Sequence, residues 1–266
     1  MKRLFYFLVF AVLGITSCGV KVPTVEPFVS TRIESGEVQK QLFSLSASDS
    51  LTSTVQYSYY PTTDSLYKDS VNRKIQRFIA SNTSFSTGTP SETMSRKFVE
   101  HQLDSFELLY QYEVKEYGGD YDPPIWNLEV SVSIDESANE YVRIDLGTWS
   151  YTGGAHGNGF SQVLHIEKKS GADLQLVDFF SNVAALTEIG EGFFRQSQDL
   201  GAEDDLTEAG FWFEDGVFQL NENFSFSGDA ILFFYNQYEI APYSAGTIEF
   251  EIPLEKVKHL LKRKIG

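Results

Sequence analysis

Apolar residues recur at helical spacing in two segments of the first half of the chain. Residues 65–81 carry apolar side chains at positions i, i+4, i+7 and i+8, which predicts one buried helix face: Val71, Ile75, Phe78 and Ile79. A second helix is predicted to begin at the capping box Thr89-Pro90-Ser91-Glu92 and to end near Gly118-Gly119. Its stripe is Val99, Leu103, Phe106 and Tyr110. A strand at 54–60, ended by Pro61, precedes both helices.

The period changes to two in the second half of the chain. Apolar and polar residues alternate over 128–134 and again over 142–146, with turn-forming residues at 135–140, which predicts an antiparallel hairpin. Shorter apolar runs predict further strands at 162–167, 174–177, 224–226, 231–235 and 248–252, and a hairpin over 211–220 around Asp215-Gly216. Helices are predicted after Ser181 and over 254–261. The fold class we expect is α+β, with antiparallel sheets, helices packed on one face and two subdomains of similar size.

Composition divides the chain into four segments. The first, 1–17, has the features of a lipoprotein signal peptide, and the next, 18–40, is a tether rich in Pro, Ser and Thr. A helix-rich N-terminal part is expected at 41–122 and an α+β domain at 123–266, divided by the break at Pro123-Pro124. The body must hold together by core packing, because a lone cysteine cannot form an intramolecular disulfide.

The lone cysteine, Cys18, follows a basic start, an apolar run over 4–15 and small residues. This order predicts cleavage before Cys18 and lipid attachment to its sulfur, and therefore an extracytoplasmic, periplasm-facing protein held to the membrane by the lipid only. An apolar run of about a dozen residues is short for a span, which needs about 20. The alternatives are an ordinary cleaved signal with an incidental cysteine and an uncleaved transmembrane anchor.

Acidic residues outnumber basic ones by 37 to 21, for a formal net charge of -16. Loss of residues 1–17 removes Lys2 and Arg3, which leaves 19 basic residues and a charge of -18. A surface this negative disfavours nucleic-acid binding and is compatible with a basic partner.

Two segments stand out from the strand and helix pattern. Tyr151-Thr152-Gly153-Gly154-Ala155-His156-Gly157 joins two predicted strands, and Tyr238-Glu239-Ile240-Ala241-Pro242-Tyr243-Ser244-Ala245-Gly246 lies between two later ones. Both resemble the C-terminal domain of the lysozyme-sensing anti-sigma factor family of RsiV. Residues 54–81 are similar, more loosely, to the domain that precedes the catalytic module in PdaC-type peptidoglycan deacetylases. The combined resemblance covers roughly residues 40–258.

The resemblance implies an envelope binding protein, with lysozyme or peptidoglycan as the partner. We expect no cofactor, no metal site and no enzyme activity, and no deacetylase module, since the chain ends at Gly266. Two alternatives stay open: a cell-wall hydrolase that uses His156 with a nearby carboxylate, and a purely structural envelope component. The candidate binding residues come from the two segments: Tyr151, Gly153, Gly154, His156, Gly157, Tyr238, Pro242 and Tyr243.

Catalytic motifs are hard to find in this sequence. It contains no His-Glu-x-x-His and no Gly-x-Ser-x-Gly, and its four histidines lack the spacing of a zinc deacetylase. His156 either contacts a ligand or hydrogen-bonds its own loop. His165 is expected on the polar face of a strand, because it alternates with apolar neighbours, and the three tryptophans are expected in the core: Trp126, Trp149 and Trp212.

Overall fold

A computed structural model describes residues 39–47, 51–81, 92–117 and 125–265 of the chain. The predicted signal peptide, the lipid site Cys18 and most of the tether lie outside these residues. The same holds for Thr89-Pro90-Ser91 of the capping box and for the breaks at Gly118-Gly119 and Pro123-Pro124. Among the described helices, none is both long enough and apolar enough to cross a membrane.

The larger sheet has six strands, in the same order in space as in sequence. They are β1 (Gln39–Ala47), β2 (Leu51–Tyr59), β3 (Trp126–Asp135), β4 (Tyr141–Tyr151), β5 (Asn158–Glu167) and β6 (Asp173–Leu174). All neighbours are antiparallel except β2 and β3, which are parallel. Two helices between them make the crossover that a parallel pair requires: α1 (Leu66–Ser81) and α2 (Glu92–Tyr117). The sheet thus joins strands from both sides of residue 122, and the proposed division of the chain there stays a prediction.

Both helices pack on one face of this sheet. Ile75 and Ile79 of α1 are fully buried in one cluster with Val55, Val130 and Ile144 of the strands. Further along the same face, the Phe106 ring of α2 packs edge-on against Trp126 of β3, with 5.3 Å between the ring centroids. The period-two alternation of β3 and β4 is therefore explained by apolar residues that face the helices.

A second core surrounds the smaller, antiparallel sheet of three strands. These strands are β7 (Phe224–Ser227), β8 (Ala230–Tyr235) and β9 (Ile248–Pro253), and the accompanying helices are α3 (Leu176–Phe179), α4 (Val183–Ser197) and α5 (Leu254–Val257). At its centre Phe194 of α4 is fully buried, with Phe218 and Phe250 at centroid distances of 5.0 and 5.8 Å. The predicted α+β class is confirmed, and each sheet has its own main cluster of buried residues.

The predicted hairpin over 211–220 is wrong. A short 3-10 turn, Glu214–Gly216, occupies its centre, and the flanking residues form no strands. Phe211 and Phe213 are buried against Phe194 instead, at centroid distances of 5.1 and 5.5 Å. The Asp-Gly pair correctly indicated a turn, but the residues on either side bury their aromatic rings and do not pair as strands.

The predictions that His165 lies on a polar strand face and that Trp149 and Trp212 lie in the core are also wrong. His165 is only 2% exposed, because α3 and β7 of the second core cover the face of β5 that the alternation marks as polar. Trp149 and Trp212 are 38% and 53% exposed. Alternation shows which residues share a face, but it does not show whether that face meets water.

Candidate functional site

The two segments singled out in the sequence meet in space and bring three rings together. The His156 ring stacks on Tyr243, with centroids 3.6 Å apart and an angle of 15° between the planes. The Tyr238 ring lies 5.5 Å from Tyr243 and 6.4 Å from His156, and its hydroxyl is 3.5 Å from His156 Nε2. These three residues are called the aromatic tip below. Residues 82 positions apart in sequence thus form one cluster.

Glycines shape the first loop of the tip, between the end of β4 and the start of β5. Gly153 and Gly154 have φ angles of 97° and 91°, in the region that glycine adopts without steric cost. The Tyr151 hydroxyl donates to the Gly154 carbonyl at 3.1 Å, and His156 Nδ1 lies 2.9 Å from the Gly157 carbonyl. The His156 ring is therefore in contact with the backbone of its own loop.

Trp149 supports this loop from below. A Cβ atom on Gly157 would lie 2.4 Å from Cζ2 of the Trp149 ring, closer than real contacts allow, and a Cβ on Gly159 would lie 3.3 Å from its Cε3. The indole fills the space that these two glycines leave empty. Gly157 is therefore a packing residue, buried under the tip.

A set of polar side chains fixes the start of the second loop. Asn236 pairs with the backbone of Ser161 in β5 like an added strand residue: its Oδ1 accepts from the Ser161 amide at 2.7 Å and its Nδ2 donates to the Ser161 carbonyl at 2.9 Å. The Glu239 carboxylate accepts from the Asn236 amide at 2.8 Å and from Asn221 Nδ2 at 2.7 Å. These bonds tie the loop to both sheets.

The middle of the second loop is anchored by burial. Ile240 and Ala241 lie in the second core, and the Ile240 carbonyl accepts from the Trp212 amide at 2.7 Å. Tyr238 just before them has a φ of +64°, a conformation that is rare for a non-glycine residue. The loop therefore holds Tyr238 in an uncommon backbone conformation and turns its ring outward.

The tip is accessible although its base is fixed. Tyr238 is 52% exposed, His156 and Pro242 are exposed, and Tyr243 is half-buried at the start of a 3-10 turn that ends at Ala245. The structure thus brings His156, Tyr238 and Tyr243 together on the surface, while the Tyr151 hydroxyl bonds to the backbone of the first loop.

The chemistry of the tip is that of contact between rings. Among the described residues, the hydrogen-bond and ring-contact partners of the His156 ring are two tyrosines and a backbone carbonyl. A hydrolase that used His156 as a base would need an orienting carboxylate and a nucleophile within hydrogen-bond reach. In the part of the chain that the structure describes, no group of three or more His, Cys, Asp or Glu side chains is placed to hold a metal ion.

Sequence reasoning missed the residues that build the base of the site. Asn236 and Glu239, three positions apart, carry the signature of a side-chain-capped turn, and this signal could have been found. The role of Trp149 could not have been predicted, because nothing local in the sequence shows that its ring packs against Gly157 and Gly159.

Comparison with known proteins places the fold but not the activity. The profile of a family described as a protein of unknown function, DUF3298, matches residues 176–255. A crystal structure of a DUF3298 family member from Bacteroides fragilis is similar with a TM-score of 0.64 at 23% identity, over 88% of this chain and 96% of that one. A DUF3298 family protein from Pseudomonas aeruginosa gives a TM-score of 0.52 at 16% identity, over 90% and 96%. No curated protein sequence matches this chain significantly.

Proposed function

We propose that this protein is a lipid-anchored binding protein of the cell envelope and that its aromatic tip docks onto a basic protein partner. Lysozyme is the partner that the resemblance to the RsiV family implies. The observation that carries the proposal is the aromatic tip itself. Two loops that are far apart in sequence stack His156 on Tyr243 and leave Tyr238 half exposed to solvent.

Rings held in this way suit the centre of a protein interface. Tyrosine and tryptophan dominate binding energy at interfaces because they bury a large area with few rotatable bonds. The Asn236 clasp and the buried Ile240 order the loop before a partner arrives, so little conformational entropy is lost on binding. The structure thus supports recognition by a preformed surface.

Charge supports a basic partner. The chain carries a formal net charge of -16, and the exposed Glu239 follows Tyr238 directly. Opposite net charges accelerate encounter, and this acceleration weakens as salt screens the field.

The proposed anchor is a lipid on the Cys18 sulfur. Residues 19–38 lie between this sulfur and β1. Intact-mass analysis of the protein purified from bacterial membranes tests this part. A mass that corresponds to residues 18–266 plus acyl chains is expected, and an unmodified thiol would contradict it.

Titration calorimetry of the full-length protein with lysozyme tests the partner. We expect saturable binding that Tyr243→Ala weakens about 30-fold, the loss typical of an interface hot spot. Tyr112→Ala is the matched control, since Tyr112 is an exposed tyrosine, 60% accessible, on α2. This control should bind like the wild type.

Three results would contradict the proposal: no binding of lysozyme above background, equal affinity of the two variants, or binding of purified peptidoglycan fragments in place of lysozyme. The last result would assign the envelope ligand to the glycan or its peptides and remove the protein partner.

A further inference from the structure

A groove separates the two sheets on the side away from α1 and α2. The sheets are joined along β5, where Asn236 clasps Ser161 and where the Val163 amide donates to Asn223 Oδ1 at 3.2 Å. Beyond β5 the sheets diverge, and the space above β4, β3 and β2 has a volume of about 600 Å³. We call it the inter-sheet groove. Its volume lies within the range of about 300–1,000 Å³ that is usual for small-molecule sites.

The floor of the groove consists of small side chains and is rich in hydroxyl groups. Ser131 and Ser133 of β3 and Ser161 of β5 are exposed there. Gly147 lies beside Ser131, and a Cβ atom on Gly147 would lie 2.7 Å from the Ser131 hydroxyl oxygen. Small side chains on three neighbouring strands thus leave room for a ligand and present hydroxyl groups to it. The Ser133 hydroxyl donates to Asp145 at 3.0 Å and can still accept a hydrogen bond.

The roof of the groove combines two apolar side chains that are not part of the second core with the polar Ser225 and Thr247. On β8, Ile231, Phe233 and Tyr235 point into that core, so the alternating Leu232 and Phe234 face the groove and stay half-buried. Glu249 of β9 pairs in register with Phe234 and is exposed at the rim. The groove therefore has the Phe234 ring and Leu232 opposite a hydroxyl-bearing floor.

Charge in the groove disfavours an anionic ligand. The Arg143 guanidinium is paired with Asp135 at 3.3 Å and with Asp145 at 3.0 Å, and the Glu249 carboxylate adds a further negative charge to the lining. Extended peptide is also disfavoured, since β3 and β4 of the floor are interior strands whose backbone groups are already paired. A neutral or a cationic ligand is compatible with these charges, and the hydroxyls and apolar side chains of the lining favour a neutral one that is recognised by side chains.

We propose that the inter-sheet groove binds a neutral oligosaccharide. Sugar rings present apolar C–H faces, which would pack on Phe234 and Leu232, and hydroxyl groups, which would bond to Ser131, Ser133 and Glu249. The site is separate from the aromatic tip, so this inference does not depend on the proposed protein partner.

Titration of the full-length protein with neutral trisaccharides tests it, with N-acetylglucosamine, glucose and galactose oligomers as the probes. At least one of them should bind saturably. Glu249→Gln should weaken that binding about tenfold, because a hydrogen bond to a charged group is lost. Glu251→Gln is the matched control on the same face of the same strand, outside the groove, and should bind like the wild type.

A second variant, Ser131→Tyr, would fill the groove from the exposed floor and should abolish sugar binding while lysozyme titration stays unchanged. Tyr243→Ala should show the reverse pattern, so failure at one site is distinguishable from failure at the other. The inference is overturned if no trisaccharide binds at millimolar concentration, if Glu249→Gln and Glu251→Gln have equal effects, or if Ser131→Tyr folds and binds sugar like the wild type.

Discussion

Replacement of His165 by phenylalanine should make the stability of this protein less sensitive to acid. The His165 ring is 2% exposed and stacks on Phe224, with centroids 4.5 Å apart, while Tyr141 and Phe179 pack against it edge-on. Its buried Nε2 has no hydrogen-bond partner among the residues that the structure describes. Burial, and to a lesser extent the nearby Arg143 charge, lower the pKa of His165 to about 3.

The magnitude follows from the difference between the two states. In the unfolded chain the His165 pKa returns to about 6.5, so below that pH the unfolded state binds a proton that the folded state excludes. The stability of the wild type is therefore complete above pH 6.5 and falls as the pH drops from 6.5 towards 3. At pH 4.5 the loss through this one group is about 3 kcal/mol, a large share of a typical 5–15 kcal/mol.

Urea unfolding at a series of pH values, followed by circular dichroism, measures this effect. Between pH 7.5 and 4.5 the free energy of unfolding of the wild type should fall by about 3 kcal/mol more than that of His165→Phe. His259→Gln, at an exposed histidine, is the control and should follow the wild type. Parallel curves for the wild type and His165→Phe would refute the argument that a buried neutral imidazole governs acid stability.

Two further predictions concern the base of the aromatic tip. Gly157→Ala should lower the free energy of unfolding by about 1–3 kcal/mol, because its Cβ would lie 2.4 Å from the Trp149 ring. Gly192→Ala on α4, where no atom of the described residues lies within 4 Å of the new Cβ, should instead stabilise by up to about 1 kcal/mol. Equal effects of the two variants in thermal unfolding would be inconsistent with this packing. Asn236→Ala should cost about 1–3 kcal/mol, since both backbone groups of Ser161 lose their partner; an unchanged midpoint in urea would show that the clasp is not needed.

Hydrophobic periodicity correctly predicted the elements that bury one face against one apolar layer. The alternation over 128–146 gave the β3–β4 pair, and the helical stripe over 71–79 gave the buried face of α1. Both work because one face of each element meets a single apolar layer. The parallel pairing of β2 with β3 was not predictable from these patterns, since it depends on how two helices cross the sheet.

The predictions for β5 and for residues 211–220 were wrong because both segments pack against the second core, which local sequence patterns do not show. His165, on the face of β5 that looks polar in sequence, is buried against the second core. Phe211 and Phe213 form no strand and pack against Phe194. For the candidate site, the sequence predicted the rings but not the residues that hold them. The clasp of Asn236 on Ser161 and the indole under Gly157 arise only when the two sheets come together.

Site-specific photo-crosslinking tests the central claim, that the aromatic tip is the docking surface, most directly. A benzoyl-phenylalanine placed at Tyr238, which is half exposed at the tip, would be irradiated with lysozyme present, and the same group at the exposed Tyr112 serves as the reference. The account predicts a covalent complex from position 238 and none above background from position 112. Equal yields from both positions, or a complex from position 112 alone, would contradict it.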